Sequence, residues 1–167
     1  MKIRIIYIFL LLCCGLKLSA KKNHLDSMIH KAQSGDLNAQ IELTRWYYYG
    51  NQTVLRNTHK AFFWCLEAAK QGDSNSQFLL SMLYYKGNGI NKNITKSFQW
   101  CEKAALNNHA EAMFYLGRMY LDGIGTDKDS KKALYYIERA YNYGNEDAMI
   151  FWQKNKLWEY EKSSQIQ

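Results

Sequence analysis

The sequence predicts an all-α fold, an α-solenoid of about three helix–turn–helix repeats with a capping helix at each end. Three observations carry this. First, one segment recurs at a period of 36 to 37 residues: Gly35, Gly72, Asn108 and Gly144 share a register, as do Ala39, Ser76, Ala112 and Ala148, and Leu43, Leu80, Leu116 and Trp152. Tyr47, Tyr84 and Tyr120 recur, then Gly50, Gly87 and Gly123, then Trp64, Trp100 and Tyr136, then Ala68, Ala104 and Ala140. A fixed period of this size marks a stacked array in which each unit buries its apolar face on its neighbours. Second, apolar residues inside each unit recur at helical spacing, as in Ala112, Leu116, Met119 and Tyr120, and in Ala133, Tyr136, Ile137 and Ala140. Third, the 167 residues include no proline, so glycine does the punctuation.

The elements follow in order. Residues 1–20 stand outside the array and have the pattern of a secretory signal peptide. Lys2 and Arg4 form a basic start, Ile5 to Leu12 are wholly apolar, and Leu18-Ser19-Ala20 ends in a small residue suited to cleavage before Lys21. The apolar run is shorter than the roughly 20 residues of a membrane span. Two alternatives stand beside cleavage. One is an uncleaved anchor. The other is lipid attachment at Cys13 or Cys14, against which Leu12 and Cys13 stand where bacterial lipoprotein signals have a small residue.

Residues 21–34 read as an N-terminal capping helix, with His24, Ser27 and Lys31 where later repeats have small or aromatic residues. Residues 35–160 read as the solenoid. Its first helices are expected over Leu37–Tyr49, Ser74–Lys86 and Ala110–Asp122. They follow Asp36, Asp73 and His109, of which the two aspartates are good N-caps, and end at Gly50, Gly87 and Gly123. Second helices are expected after Asn57, Asn93 and Asp129, running to Gln71, Asn107 and Tyr143. A last lone helix is expected over Asp147–Tyr160, and residues 161–167 read as a disordered tail. Polar terminal repeats keep a solenoid soluble and finite.

Cleavage after Ala20 lowers the net charge from +7 to +4, with basic and acidic residues interspersed. Nucleic-acid binding would want a clustered basic face, so none is expected. Cys65 and Cys101 occupy one register of adjacent repeats. Equivalent positions in stacked repeats lie on the order of 9 to 10 Å apart, whereas a disulfide needs Cα atoms within about 7 Å. Two free, buried thiols are expected.

At these positions the chain resembles the Sel-one-like repeat (SLR) family, a relative of the tetratricopeptide repeat. The third unit carries the resemblance with Ala112, Leu116, Gly117, Tyr120, Gly123, Gly125, Asp129, Ala133, Tyr136, Ala140 and Gly144. The second carries it with Leu80, Tyr84, Gly87, Gly89, Trp100, Ala104 and Ala105, and has Ser76, Ser81 and Ser97 at small-residue positions. The first departs most: Thr44 and Gln52 replace glycines, and its inter-helix loop is one residue longer. The resemblance implies a right-handed superhelix acting as an adaptor or binding surface, commonly in bacterial signalling, envelope assembly or toxin–immunity pairs.

Little in the sequence points to catalysis. His24, His30, His59 and His109 stand in four different contexts with no ligand spacing among them, so no metal is expected. Asp127-Lys128-Asp129 lacks the glycine and terminal glutamate of a calcium loop. The Gly87/Gly89 and Gly123/Gly125 pairs precede no Lys-Ser/Thr of the Walker type, and no cofactor is expected. Asn51-Gln52-Thr53 and Asn93-Ile94-Thr95 fit the glycosylation pattern, which matters only in a eukaryotic secretory pathway. Cysteine-rich relatives of this repeat are described as binding or hydrolysing β-lactams. They staple each unit with a cysteine pair, whereas two units here have one cysteine each. The Ser-x-x-Lys of a serine enzyme of that type occurs only at Ser19 to Lys22, across the expected cleavage site.

In such solenoids the first helices line the concave surface. Their unassigned faces present Glu42, Arg45 and Tyr49, then Leu79, Met82 and Lys86, then Tyr115, Arg118 and Asp122, then Phe151. Aromatic, Met and Arg side chains are the types enriched at binding hot spots. Partner binding is therefore assigned to Glu42, Arg45, Tyr49, Leu79, Met82, Tyr115, Arg118 and Phe151. The sequence is read as an exported, monomeric, non-enzymatic protein–protein interaction module, most simply a bacterial periplasmic adaptor or a toxin-neutralising immunity protein binding another envelope or secreted protein. The alternative is a cell-wall or β-lactam-ligand binding or hydrolysing enzyme of the cysteine-rich repeat type. A third reading is a structural role in the envelope.

Overall fold

The computed structural model describes residues 22–155, which contain helices and no strand. Helix α1 occupies residues 22–33, α2 Leu37–Tyr49, α3 Thr58–Lys70, α4 Ser74–Lys86, α5 Ile94–Leu106, α6 Ala110–Asp122, α7 Ser130–Asn142 and α8 Glu146–Lys154. The three first helices agree with the sequence reading residue for residue. The second helices stop one residue short of Gln71, Asn107 and Tyr143. Asn107 and Tyr143 are C-caps, their N–H groups folding back onto carbonyls of the last turn. Helix α8 begins at Glu146, before the expected Asp147, because Asn145 caps it. Among the described residues α8 ends at Lys154 with Asn155 as its C-cap, inside the expected span to Tyr160. The expected signal at residues 1–20, residues 156–160 and the tail at 161–167 lie outside the described residues.

The helices start where they do for one repeated reason. The first backbone N–H groups of a helix have no partner within it, and a side chain just before the helix supplies one. Asp36 accepts from Ala39 N at 2.9 Å, Asn57 from Lys60 N at 3.0 Å, Asp73 from Ser76 N at 2.7 Å and Asn93 from Lys96 N at 2.8 Å. Asp129 accepts from Lys132 N at 3.0 Å and Asn145 from Ala148 N at 2.8 Å. Helix α6 is capped by an imidazole: His109 Nδ1 accepts from Ala112 N at 3.2 Å. Gly87 and Gly123 close α4 and α6 in the left-handed conformation, donating to Leu83 O and Met119 O. The first repeat differs here, as its longer loop predicts. Gly50 has φ 77° and ψ 161°, and Asn51 Oδ1 accepts from both Thr53 N and Val54 N at 2.8 Å, turning Val54 inward.

Packing divides the chain into two compact units at Trp64, inside α3. In the first, Leu25, Met28 and Ile29 of α1 pack on a core of Ala32, Ala39, Leu43, Tyr47, Val54, Ala61 and Trp64. The buried Gln40 amide donates to Ala32 O at 3.0 Å, which satisfies a polar group that burial would otherwise penalise. In the second unit consecutive helices pack on one another: α4 on α5, α5 on α6, α6 on α7, α7 on α8. Its core joins Cys101 and Ala104 to Met113, Leu116, Tyr120, Ala133, Ile137, Ala140, Ala148 and Trp152. The alanines at 104, 112, 133, 140 and 148 are completely buried and let backbones approach. Full burial of Leu116, Met113 and Ile137 contributes roughly 1.5–3 kcal/mol each.

Cys65 and Cys101 are free and buried. Each thiol reaches into the next helix at the same register: Cys65 Sγ donates to Ser76 O and Cys101 Sγ to Ala112 O, both at 3.3 Å. Burial pushes the Cys65 thiol far above the usual thiol range. It pushes Cys101 up to about 12, aided by the nearby Glu102 carboxylate and opposed by a hydrogen bond with Ser81.

Candidate partner-binding cleft

Helices α4 and α6 are both first helices of their repeats, and α5 packs on each of them. The small or apolar residues that fix this packing, Ser76, Leu80 and Ser81 on α4 and Ala112, Leu116 and Gly117 on α6, are buried. The helical period then turns the residues between them outward. Met82 and Tyr85 of α4 and Tyr115 of α6, over the buried Phe114 and Met119 and with Ile124 of the following turn, line a cleft of about 350 Å³. Lys86, Arg118 and Asp122 complete it.

The cleft wall is built from ring on ring. Tyr115, 42% exposed, lies 5.4 Å from Phe78 and edge-on to Phe114 at 6.2 Å. Phe114 meets Phe151 of α8 at 6.0 Å, and the Arg118 guanidinium lies 5.8 Å from the Phe151 ring centre. Arg118 also approaches Asp122 at 3.7 Å, an exposed pair worth little by itself. Lys92 stands 5.6 Å over the Tyr85 ring. Lys86, Arg118 and Asp122 therefore rim an apolar floor, with Lys92 beside the Tyr85 ring.

His109 ties the cleft to the helix cap. Its ring packs on Phe78 at 4.8 Å, and Phe78 packs on Tyr115. Burial holds the His109 pKa below its ordinary value, against the opposing pull of Glu111 and Asp73. The neutral ring can accept from Ala112 N. The Glu111 carboxylate, 3.3 Å from the same Nδ1, becomes an ion-pair partner only when that nitrogen is protonated and no longer accepts.

Of the residues assigned from sequence, the structure brings Met82, Tyr115 and Arg118 into this cleft and places Phe151 at its side. Leu79 is half-buried and does not line it. On α2, in the other unit, Arg45 pairs with Glu42 at 3.0 Å, and Tyr49 is 75% exposed with its ring edge-on to Tyr48. Sequence reasoning missed Tyr85, Phe114 and Ile124. Tyr85 follows the recurring Tyr84 and was masked by it, and Ile124 lies in a turn that helical periodicity does not reach.

A second cleft of about 430 Å³ involves Leu66, Tyr84, Lys96, Gln99, Trp100, Glu102 and Lys103. Its aromatic faces are already covered by the chain's own cations: Lys103 lies 4.2 Å from the Trp100 ring centre and Lys96 5.5 Å from that of Tyr84. Among the described residues no three His, Cys, Asp or Glu side chains gather where they would hold a metal. No described helix is long and apolar enough to cross a membrane.

Paired helices of fixed period, carrying an apolar cleft rimmed by charged side chains, define a helical-repeat scaffold. The chain belongs to the Sel1 repeat family, whose model matches residues 37–73, 74–109 and 110–145. Proteins of this family generally mediate protein–protein interaction. The crystal structure of a Sel1 repeat protein from Oxalobacter formigenes is similar, at 38% identity and a TM-score of 0.71, covering 78% of this chain and 98% of that one. Cysteine-rich protein B of Helicobacter pylori shares the fold at 22% identity and a TM-score of 0.60, over 80% of this chain and 96% of that one. So does c5321, a protective antigen present in uropathogenic Escherichia coli strains, at 23% identity and a TM-score of 0.57. That match covers 74% of this chain and 34% of the antigen. Among curated proteins none matches the sequence.

Proposed function

We propose that this chain is an exported interaction module that holds a segment of another envelope or secreted protein in the cleft between α4 and α6, as a periplasmic adaptor or a toxin-neutralising immunity protein. The observation that carries the reading is the exposed ring of Tyr115 beside Met82, Tyr85 and Arg118. Such an exposed apolar surface rimmed by polar groups marks interaction sites, and membership of a family of protein-interaction scaffolds supports it. Export rests on the signal pattern of residues 1–20. Binding energy comes from the apolar floor, because exposed cations alone contribute under about 1 kcal/mol each.

The test is affinity capture by the tagged mature protein from a periplasmic extract, beside a Met82→Glu variant shown by circular dichroism to keep its helicity. A stoichiometric partner lost from the variant supports the cleft. Capture unchanged by Met82→Glu removes it. Protection of a sensitive host from a co-encoded toxin separates the immunity role from the adaptor role.

A further inference from the structure

We propose that the segment the cleft accepts is acidic: one aromatic or long aliphatic side chain flanked by carboxylates. This rests on the reading of the cleft as a protein-binding site and specifies its partner. Lys86 projects from the last turn of α4 and is exposed, and no carboxylate pairs with it among the described residues. Lys92 is likewise without an ion pair there and is held against the Tyr85 ring. Arg118 is held between the Phe151 ring and Asp122, its carboxylate contact a long 3.7 Å. The lining cations Lys86 and Arg118 outnumber the lining carboxylate Asp122, and Lys92 beside Tyr85 adds to that excess, which repels a basic segment and attracts an acidic one.

Size sets the anchor. The cleft, at about 350 Å³, sits at the low end of the roughly 300–1,000 Å³ of ligand pockets. That suits one large side chain with its adjoining backbone. The rings and Met82 supply a polarizable apolar floor for it. The division of labour follows: burial of the anchor gives affinity, while the three cations select the sign of the flanks and speed encounter.

The probes are short fluorescein-labelled peptides with a central tryptophan and flanks of glutamate, serine or lysine, plus a glutamate-flanked peptide with alanine in place of tryptophan. Fluorescence anisotropy with the mature protein reads affinity at low salt and at about 300 mM NaCl, where charge attraction is largely screened. The glutamate-flanked tryptophan peptide should bind at least about tenfold tighter than the lysine-flanked one at low salt, and that preference should shrink at high salt. The alanine peptide should not bind. The double variant Lys86→Glu/Lys92→Glu should reverse the order of the two charged peptides.

Equal binding of the three tryptophan peptides, all abolished by Met82→Glu, overturns the acidic preference and leaves the cleft as a binding site. Peptide binding unaffected by Met82→Glu overturns the cleft reading and this inference together. Absence of binding by every peptide overturns the inference, with partner capture by the wild type but not by Met82→Glu then upholding the cleft on its own.

Discussion

Gly117 and Ile137 lie so close that a Cβ built on Gly117 falls 2.6 Å from Ile137 Cγ1 and 2.9 Å from the carbonyl oxygen of Ala133. The side-chain contact can shift. The backbone oxygen of α7 cannot without moving the helix. In the preceding repeat the same register has Ser81, whose hydroxyl donates to Ser97 O at 2.8 Å, so α4 and α5 meet around a side chain that α6 and α7 exclude. Gly117→Ala gains up to about 1 kcal/mol of helix propensity but incurs an overpacking cost of about 1–3 kcal/mol. Net destabilisation is expected, read as a lowered thermal midpoint by circular dichroism. Gly117→Ser should be worse, and a midpoint unchanged in both variants would show that α6 and α7 separate freely.

The repeat itself was legible because period, glycine punctuation and cap residues agree at every unit. The first helices α2, α4 and α6 were read to the residue from Asp36, Asp73, His109 and the glycines that close them. The cleft was only partly legible. Met82, Tyr115 and Arg118 follow from helical phase, since whatever faces away from Leu80 and Leu116 must face outward. Tyr85 shares that outward phase but stands behind the recurring Tyr84, and Ile124 does not follow, because it depends on how the turn after Gly123 folds back. Leu79, half-buried and off the cleft, shows the limit of that argument: phase gives a direction, and the surrounding packing decides how open that direction is.

His109 makes stability depend on pH with a definite sign. Its folded pKa lies below the ordinary 6.5, so the folded state binds the proton less readily than the unfolded state. The stabilisation is present above the unfolded value and declines as pH falls from about 6.5 through the folded pKa. Protonation also removes the acceptor that caps α6, a bond whose loss costs about 1 kcal/mol. Thermal midpoints measured from pH 7.5 down to 5 should fall, and His109→Asn, which caps without titrating there, should flatten this part of the profile. A variant profile parallel to the wild type would assign the pH dependence elsewhere.

Cys65 and Cys101 should be inert in the folded protein. The thiolate is the reactive form, and burial raises both thiols well above the usual range, Cys101 to about 12. With Ellman's reagent at pH 8, Cys65 and Cys101 are expected to react slowly in buffer and at once in denaturant. Because both folded pKa values are raised above the unfolded ones, the stability that the neutral thiols contribute is full below about pH 9 and is lost as pH rises beyond it. Rapid labelling of either cysteine in buffer would mean that its helix opens locally.

Asn108 stands where the other units have Gly72 and Gly144, and its φ of 61° is the one positive value outside glycine among the described residues. Its side chain recovers what the backbone loses. Oδ1 accepts from Arg139 Nη2 at 2.9 Å and from the Tyr143 hydroxyl at 3.1 Å, while Arg139 lies 5.7 and 5.9 Å from the Tyr135 and Tyr143 ring centres. Left-handed backbone costs an ordinary L-residue roughly 1–2 kcal/mol, with asparagine among the few that visit it routinely. Asn108→Ala keeps the strain and loses both bonds, so a loss of about 1–2 kcal/mol in denaturant unfolding is expected. Asn108→Gly loses the same bonds but removes the strain at the expense of a more disordered unfolded chain, and these effects nearly cancel. The ordering of the two variants is the decisive result: an alanine variant as stable as the glycine one would show that backbone strain at position 108 does not shape this turn, and that the register alone preserves it.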